Sequence, residues 1–459
     1  MMMRLHEAAQ AIAAGMQGRD AAFTGVSTDS RSIVADELFV ALRGDNFDGH
    51  AYVGDVLAKG AAGAVVSQDF AAAHPHLPLI CVTDTRLALG ALAAEWRGRF
   101  SIPLLGITGS NGKTTVKEMC AAILHAWHGG TPDVVLATVG NLNNDIGLPL
   151  TLLRLRASHR AAVIEMGMNH AGELDYLTRL AAPTVALVNN AQRAHLEGLG
   201  SVQEVARAKG EIFAGLAAGG IAVFNADDGQ AEVWRELSRN RRQVEFGLDT
   251  PAGVHGRCTV HGLGSDLQLE TPWGSIEVVL AVPGRHNARN ACAAAAATLA
   301  AGAPPDAVKR GLAGFSGVRG RLQQRTGRAG ARVVDDSYNA NPDSMRAAID
   351  VLASVPGTRI FVMGDMGEAG PAAGQFHDEI GGYAKSHGID RLLCLGDMSA
   401  AAARNFGVGG QHFQRPEDLV KTLQAELNPQ TTVLVKGSRF MRMERIVAAL
   451  VDEGVVNAA

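Results

Sequence analysis

The stretch Gly106-Ile107-Thr108-Gly109-Ser110-Asn111-Gly112-Lys113-Thr114-Thr115 decides how this chain is read. An apolar run from Pro103 leads into it, and Met119, Ile123 and Trp127 follow it four residues apart, the spacing of one helix face. Strand, glycine-rich turn and helix in that order make a phosphate cradle. Glycines let backbone amides converge on phosphate oxygens, Lys113 can bridge the β and γ phosphates, and a hydroxyl of Thr114 or Thr115 can hold magnesium. The common form of this loop has glycine six residues before the lysine; here that position is Ile107, and the glycines stand at Gly106 and Gly109. A plain glycine turn is the alternative reading of the same residues.

Downstream, β-prone runs at Ala161-Ala162-Val163-Ile164, Val185-Ala186-Leu187-Val188 and Ile221-Ala222-Val223-Phe224 alternate with helical patterns, which predicts a mostly parallel sheet covered on both faces. An alanine-rich helix from Ala288 to Ala301, with Gly302 as its cap, leads to the basic joint Gly317-Val318-Arg319-Gly320-Arg321. Beyond it, strands near Arg332-Val334, Arg359-Met363, Arg391-Leu395 and Thr432-Val435 repeat the scheme, each ending in a polar or glycine-rich turn where open α/β sheets place ligands. Upstream, Glu37-Leu42 and Gly63-Ser67 with a helical stretch around Val56 to Ala62 suggest a small α/β module.

The expected architecture is therefore α/β in three domains: a small N-terminal domain over 1–86, a central P-loop mononucleotide-binding domain over 87–320, and a Rossmann-like C-terminal domain over 321–459. A length of 459 residues accommodates that number. Hydrophobic residues at 47% and charged residues at 19% argue for packed cores and against disorder. A net charge of -4 offers no field for nucleic acid, so any anion site must be local. Five scattered cysteines without a CxxC pair suit reduced thiols, no basic and apolar leader opens the chain, and no apolar run reaches about 18 residues. A cytoplasmic monomer without a membrane span is expected. Glu165, at a strand's end beside the phosphate loop, is placed to bind Mg²⁺, an ion that takes oxygen ligands; capping the next helix is its bland alternative.

The variant loop, TGSNGKTT, resembles that of the Mur ligase and folylpolyglutamate synthetase family, written TG[ST][NS]GKT[ST]. That resemblance implies an enzyme that uses ATP to turn a carboxylate into an acyl phosphate, which an amine then displaces. It implies that Gly109, Ser110, Asn111, Gly112, Lys113, Thr114 and Thr115 hold the nucleotide. Glu165, in a segment matching the family's EMG, and His195, in one matching HLE, become metal positions with Thr114. Lys209 matches a lysine that CO₂ carbamylates in this family; by itself it reads as a solvated helix residue, and carbamylation needs an amine kept neutral by burial.

The resemblance also assigns Asn287 of Gly284-Arg285-His286-Asn287 to the adenine edge, although the residue would equally serve as a helix N-cap. Arg321 corresponds to an arginine near the γ phosphate and Asp336 to an aspartate that contacts the nucleotide across the cleft. Asp336-Ser337-Tyr338-Asn339-Ala340-Asn341-Pro342-Asp343-Ser344 resembles the DxYNANPxS signature of the branch that adds D-alanyl-D-alanine to UDP-MurNAc-tripeptide. As bland alternatives, Asn341-Pro342 is a turn and Arg321 a solvated linker residue.

For the substrates, the resemblance points to Ser30, Arg31 and Asp48 in the N-terminal segments, Asn143 and Asn144 in the central domain, and Asn339, Asn341, Asp365 and Lys436 in the C-terminal domain. Two rival functions remain at this point. One is the sibling ligase that adds diaminopimelate or lysine to UDP-MurNAc-dipeptide, whose diaminopimelate-adding members carry DNPR where this chain has Ala340-Asn341-Pro342-Asp343. The other is a P-loop ATPase that forms no bond.

Overall fold

A computed structural model describes residues 1–131, 133–193, 199–367 and 370–451. Among the described residues the strands assemble into three main sheets of five, nine and six strands, with two short two-stranded ribbons. The expected three-domain α/β architecture is what forms. No helix of the described residues is long and apolar enough to cross a membrane.

The central sheet runs Val135–Ala137, Ala161–Glu165, Leu104–Thr108, Val185–Val188, Ile221–Asn225, Arg242–Gly247, Val254–His261, Gly264–Glu270, Ile276–Leu280. Its first seven strands are parallel and its last two antiparallel. Leu104–Thr108 is flanked on one side by an earlier crossover and on the other by a later one, so the loop that follows it opens at a topological switch point. The parallel strands are buried on both faces, which is why they read as continuous apolar runs. In the terminal hairpins buried and exposed residues alternate, as in Gly264–Glu270, and these were not anticipated.

Helix Arg285–Ala300 is sheathed on nearly every face, and its alanines allow close approach to Lys113–Trp127. It ends as expected: Gly302 has φ +101° and its amide donates to the Leu299 carbonyl. Its start differs from expectation. Gly284 is the N-cap and Asn287 lies one turn inside, donating through Nδ2 to the Pro283 carbonyl at 2.8 Å. In the N-terminal module the helix is Val53–Ala58, ended by Gly60 at φ +94°, so it is shorter and earlier than the stretch Val56 to Ala62 suggested.

The first two domains share one core. A single apolar cluster takes in Leu38 and Val65 of the N-terminal sheet, Leu89 and Leu92 of helix Thr85–Gly98, and Leu104 and Leu174 of the central domain. The C-terminal sheet is ordered Gln323–Thr326, Arg332–Asp336, Thr431–Lys436, Thr358–Gly364, Arg391–Leu395, Gly410–Phe413, antiparallel only at its first pair. It has two apolar clusters of its own, one on each face.

Candidate active site

The loop after Leu104–Thr108 turns into helix Lys113–Trp127 through Gly112 at φ +80°, where a Cβ would lie 2.5 Å from Asn290 Oδ1. Only glycine fits there. Amides hold the loop from behind: Asn111 N donates to Asn190 Oδ1 at 2.8 Å, Asn189 Nδ2 to the Asn111 carbonyl at 3.0 Å, and Asn190 Nδ2 to the same carbonyl at 3.0 Å. Lys113 folds over the loop and donates from Nζ to the Gly109 carbonyl at 2.8 Å. Backbone donors at a helix N-terminus beside an ammonium make an anion seat.

Glu165 is the last residue of its strand, in register with Ile107, and only 3% exposed. Thr114 Oγ1 donates to its Oε2 at 2.8 Å and Asn143 Nδ2 to its Oε1 at 2.8 Å. Among the described residues it has no ion pair, so a buried carboxylate faces only neutral partners. That donor set fits a hard divalent cation taking oxygen ligands, which would offset the burial of the charge. No group of three or more His, Cys, Asp or Glu is arranged as a closed metal cage among the described residues. His195 lies outside them.

Lys209 lies in the last turn of helix Val202–Gly210 and is 1% exposed, not solvated. Trp234, fully buried, fixes that helix by donating from Nε1 to the Ala206 carbonyl at 2.9 Å. Burial, assisted by the Lys113 charge, drives the Lys209 amine well below the usual lysine range.

The opposite wall comes from the C-terminal sheet. Asp336 and Lys436 are paired at the ends of adjacent parallel strands, and Lys436 Nζ donates to Asp336 Oδ2 at 2.6 Å and to the Asn339 carbonyl at 2.9 Å. Burial pushes the Asp336 carboxyl upward, while the Lys436 and Arg321 charges pull against it. The Arg321 guanidinium lies over the Tyr338 ring, 4.4 Å from its centre. Asn341 caps helix Pro342–Ala353, accepting from Ser344 N at 2.9 Å, and its Nδ2 crosses to Asn111 Oδ1 at 2.8 Å. Between the walls lies a cavity of about 890 Å³. Ser110 to Thr115, Asn143, Asn144, Glu165 and Asn287 reach it from the central domain, and Arg321, Asp336, Asn339, Asn341 and Lys436 from the C-terminal side.

Family models match the chain in three consecutive pieces: "Mur ligase family, catalytic domain" over 22–97, "Mur ligase middle domain" over 107–298 and "Mur ligase, glutamate ligase domain" over 320–439. A UDP-N-acetylmuramoyl-tripeptide--D-alanyl-D-alanine ligase of Escherichia coli (strain K12) is 44% identical over 443 residues, covering 96% of each chain. The chain belongs to the Mur ligase family. A crystal structure of MurF from Acinetobacter baumannii superposes with TM-score 0.88 at 35% identity, over 97% of this chain and 98% of that one. MurF ligase from Thermotoga maritima in complex with ADP gives 0.79 at 26% identity, over 93% and 96%.

In this Mur ligase the remaining expected residues are not gathered at the cavity. Arg31 is exposed and forks onto Asp29 at 2.7 Å, and Asp48 is shared by Arg43 at 2.9 Å and His50 Nδ1 at 2.6 Å; neither these nor Ser30 line it. Asp365 is turned away, accepting from Ser399 N at 2.8 Å and Met398 N at 3.3 Å. Asn144 lines the cavity, yet its Oδ1 accepts from Gly147 N at 2.9 Å at the start of the next helix.

Several lining residues escaped the sequence reading. Asp227 accepts from Leu248 N at 2.8 Å, Thr250 N at 2.7 Å and Arg289 Nε at 3.0 Å; burial pushes its carboxyl up, but these donors prevail and hold it below the usual range. Burial, with the Lys436 and Arg289 charges, pushes the His286 imidazole down to about 4, so it is neutral at pH 7. Arg193, a few residues past the strand Val185–Val188, is the third. No local pattern marks Arg193 or Asp227, and His286 stands inside the segment Gly284-Arg285-His286-Asn287 without a role of its own being expected.

Proposed function

We propose that this chain is an ATP-dependent amide-bond ligase that joins D-alanyl-D-alanine to UDP-MurNAc-tripeptide through an acyl phosphate. One observation carries the reading: a phosphate loop with a buried Glu165, hydrogen-bonded only to neutral groups among the described residues, faces the Asp336–Lys436 pair and the Asn339–Asn341 turn across a single cavity. The relative's name supplies the substrates, and the absence of DNPR at Ala340-Asn341-Pro342-Asp343 favours this branch over the sibling. The division into 1–86, 87–320 and 321–459 belongs to the proposal and is supported by the three separate sheets. Free thiols at all five cysteines support a reducing compartment, the cytoplasm.

In this reading the amides of Gly109 to Thr115 and the Lys113 ammonium bind the β and γ phosphates, Asn287 faces the adenine and Arg321 and Asp336 close on the nucleotide from the C-terminal side. The terminal carboxylate of the tripeptide attacks the γ phosphorus and ADP leaves. The dipeptide amine then attacks the carbonyl carbon, and phosphate departs with one former carboxylate oxygen. Lys113 counters the charge that builds on the transferring group. Thr114 and Glu165 would hold Mg²⁺, with His195 as a further candidate, and the ion would supply charge neutralisation at the phosphates. Lys209, kept neutral, is the form that CO₂ can carbamylate, converting a buried cation into an anion beside this centre. Asn143, Asn144, Asn339, Asn341 and Lys436 face the reacting ends, and Ser30, Arg31 and Asp48 take the UDP end. Enclosure between domains keeps water from the acyl phosphate.

Tripeptide labelled with oxygen-18 in its terminal carboxylate tests the scheme. One labelled oxygen in the released phosphate is expected; phosphate free of label would return the chain to a plain ATPase or another route.

A further inference from the structure

The C-terminal domain has little apolar hold on the rest of the molecule. Its two clusters contain buried residues of that domain alone among the described residues, with Leu263 at a central-domain hairpin turn packing on one of them. Its orientation must therefore depend on specific contacts, and these concentrate on helix Pro342–Ala353, whose Ser344, Ala347 and Ala348 form part of the cavity wall.

Two polar contacts seize the N-terminal end of that helix. Asn341 bonds to Asn111 of the phosphate loop, and Arg193, just after the strand beside that loop, takes Asp343. Arg193 donates to Asp343 Oδ1 from Nε at 3.0 Å and NH2 at 2.6 Å, and its backbone amide donates to Oδ2 at 2.9 Å. The same guanidinium reaches Glu379 at 3.3 Å and lies 5.5 Å from the centre of the Phe376 ring, so it is held on three sides by the C-terminal domain. Arg346 also pairs with Glu379. Further along, Val351 rests against Gly284 at φ +90°, where a Cβ would stand 2.7 Å from Val351 Cγ2. The helix is thus docked along the central domain, clamped by charge at one end and passing a glycine further along.

We propose that Arg193 is a positioning residue for ligation: its fork onto Asp343 holds helix Pro342–Ala353 against the phosphate loop and so brings Asp336, Lys436 and Asn341 to face Lys113. Although Arg193 lines the cavity, its hydrogen bonds among the described residues go to Asp343 and Glu379 and none to the phosphate loop, so it acts through Asp343. The pair is partly buried, at 25% and 23% side-chain exposure, and Asp343 takes three donors from Arg193, two guanidinium N–H groups on Oδ1 and the backbone amide on Oδ2, which fixes orientation as well as adding attraction. An approximate opening of the cleft follows from losing it, because little apolar area opposes separation.

Small-angle X-ray scattering and steady-state kinetics on the full chain test this, with Arg193→Ala, Arg193→Lys, Asp343→Asn and the double variant Arg193→Ala/Asp343→Asn. Without nucleotide, Arg193→Ala and Asp343→Asn should each raise the radius of gyration, the double variant should add little to either, and Arg193→Lys should lie between. In kinetics, if the closed fraction falls to about a tenth, KM for ATP rises about 10-fold, while kcat at saturating ATP stays within about 2-fold because nucleotide bridging both domains restores closure. The kinetic half rests on the ligase reading and the scattering half does not, so the two fail separately. A radius unchanged by Arg193→Ala, or additive effects in the double variant, overturns the proposal. Should Arg193→Ala not fold, Asp343→Asn alone carries the scattering test, and a radius it leaves unchanged overturns the proposal equally.

Discussion

The nucleotide cleft and the N-terminal module hold polar residues in opposite ways. In the cleft, Glu165, Lys209, Asp336 and Lys436 are buried, and Glu165, Asp336 and Lys436 have partners fixed at about hydrogen-bond distance from strand or helix ends. In the module, the Arg31 side chain is 88% exposed and spends its charge on Asp29, while Arg43 and His50 share Asp48. Burial multiplies electrostatic effects and fixes geometry before substrate arrives, which phosphoryl transfer requires. An exposed ion pair adds little, so Arg31 can exchange Asp29 for a phosphate at small loss. The same difference predicts which substitutions damage chemistry and which only weaken binding.

The largest effect should come from Lys113→Ala, with kcat falling about 10³-fold and the fold intact, read by phosphate release and circular dichroism. Glu165→Gln keeps the Thr114 and Asn143 contacts in size but removes the charge; activity should fall about 10²-fold and recover in part with raised Mg²⁺, and full activity at ordinary Mg²⁺ would deny Glu165 its metal role. Lys436→Met leaves Asp336 buried beside a neutral chain, an arrangement that costs about 3–5 kcal/mol, visible as a shifted urea midpoint. Asp336→Asn combined with it should restore most of that loss. At the other extreme, Arg31→Ala should raise KM for the UDP-linked substrate by about 10-fold, leaving kcat and melting temperature unchanged. An equal fall in kcat would erase the contrast between the regions.

Lys209 sharpens the comparison through pH. Its amine is depressed in the folded protein, so between that lowered value and about 10.4 the unfolded chain binds a proton that the native chain does not. Stability contributed by this group therefore rises with pH across that window, and at neutral pH the buried amine is a net burden. In CO₂-free buffer Lys209→Met should melt higher than wild type at pH 7, with the gain shrinking towards pH 10, although activity is lost. A gain that grows with pH would contradict the assignment.

The phosphate loop, the strands on either side of it and Glu165 at its strand end were legible because buried parallel strands and glycine turns are written in consecutive residues. Four of the six C-terminal strands were legible for the same reason, while the polar edge strands Gln323–Thr326 and Gly410–Phe413 were not, and Asp336 and Lys436 were reached through the family resemblance. The hairpins over 254–280 were not, since their strands are apolar on one face and interrupted by charge and glycine. Asp365 reads like a cleft residue from its motif, yet its strand delivers the carboxylate to the amides of Met398 and Ser399 instead. Arg193 and Asp227 are invisible in sequence because their meaning lies in partners on other elements: Asp343 is 150 residues from Arg193, and no periodicity links them.

The central claim is most directly tested by phosphate release from ATP with UDP-MurNAc-tripeptide and D-alanyl-D-alanine supplied together, each omitted in turn, and the dipeptide plus diaminopimelate pair run alongside. Release that requires both members of the first pair is the predicted result; turnover that ignores the acceptor, or that requires the second pair, would contradict it.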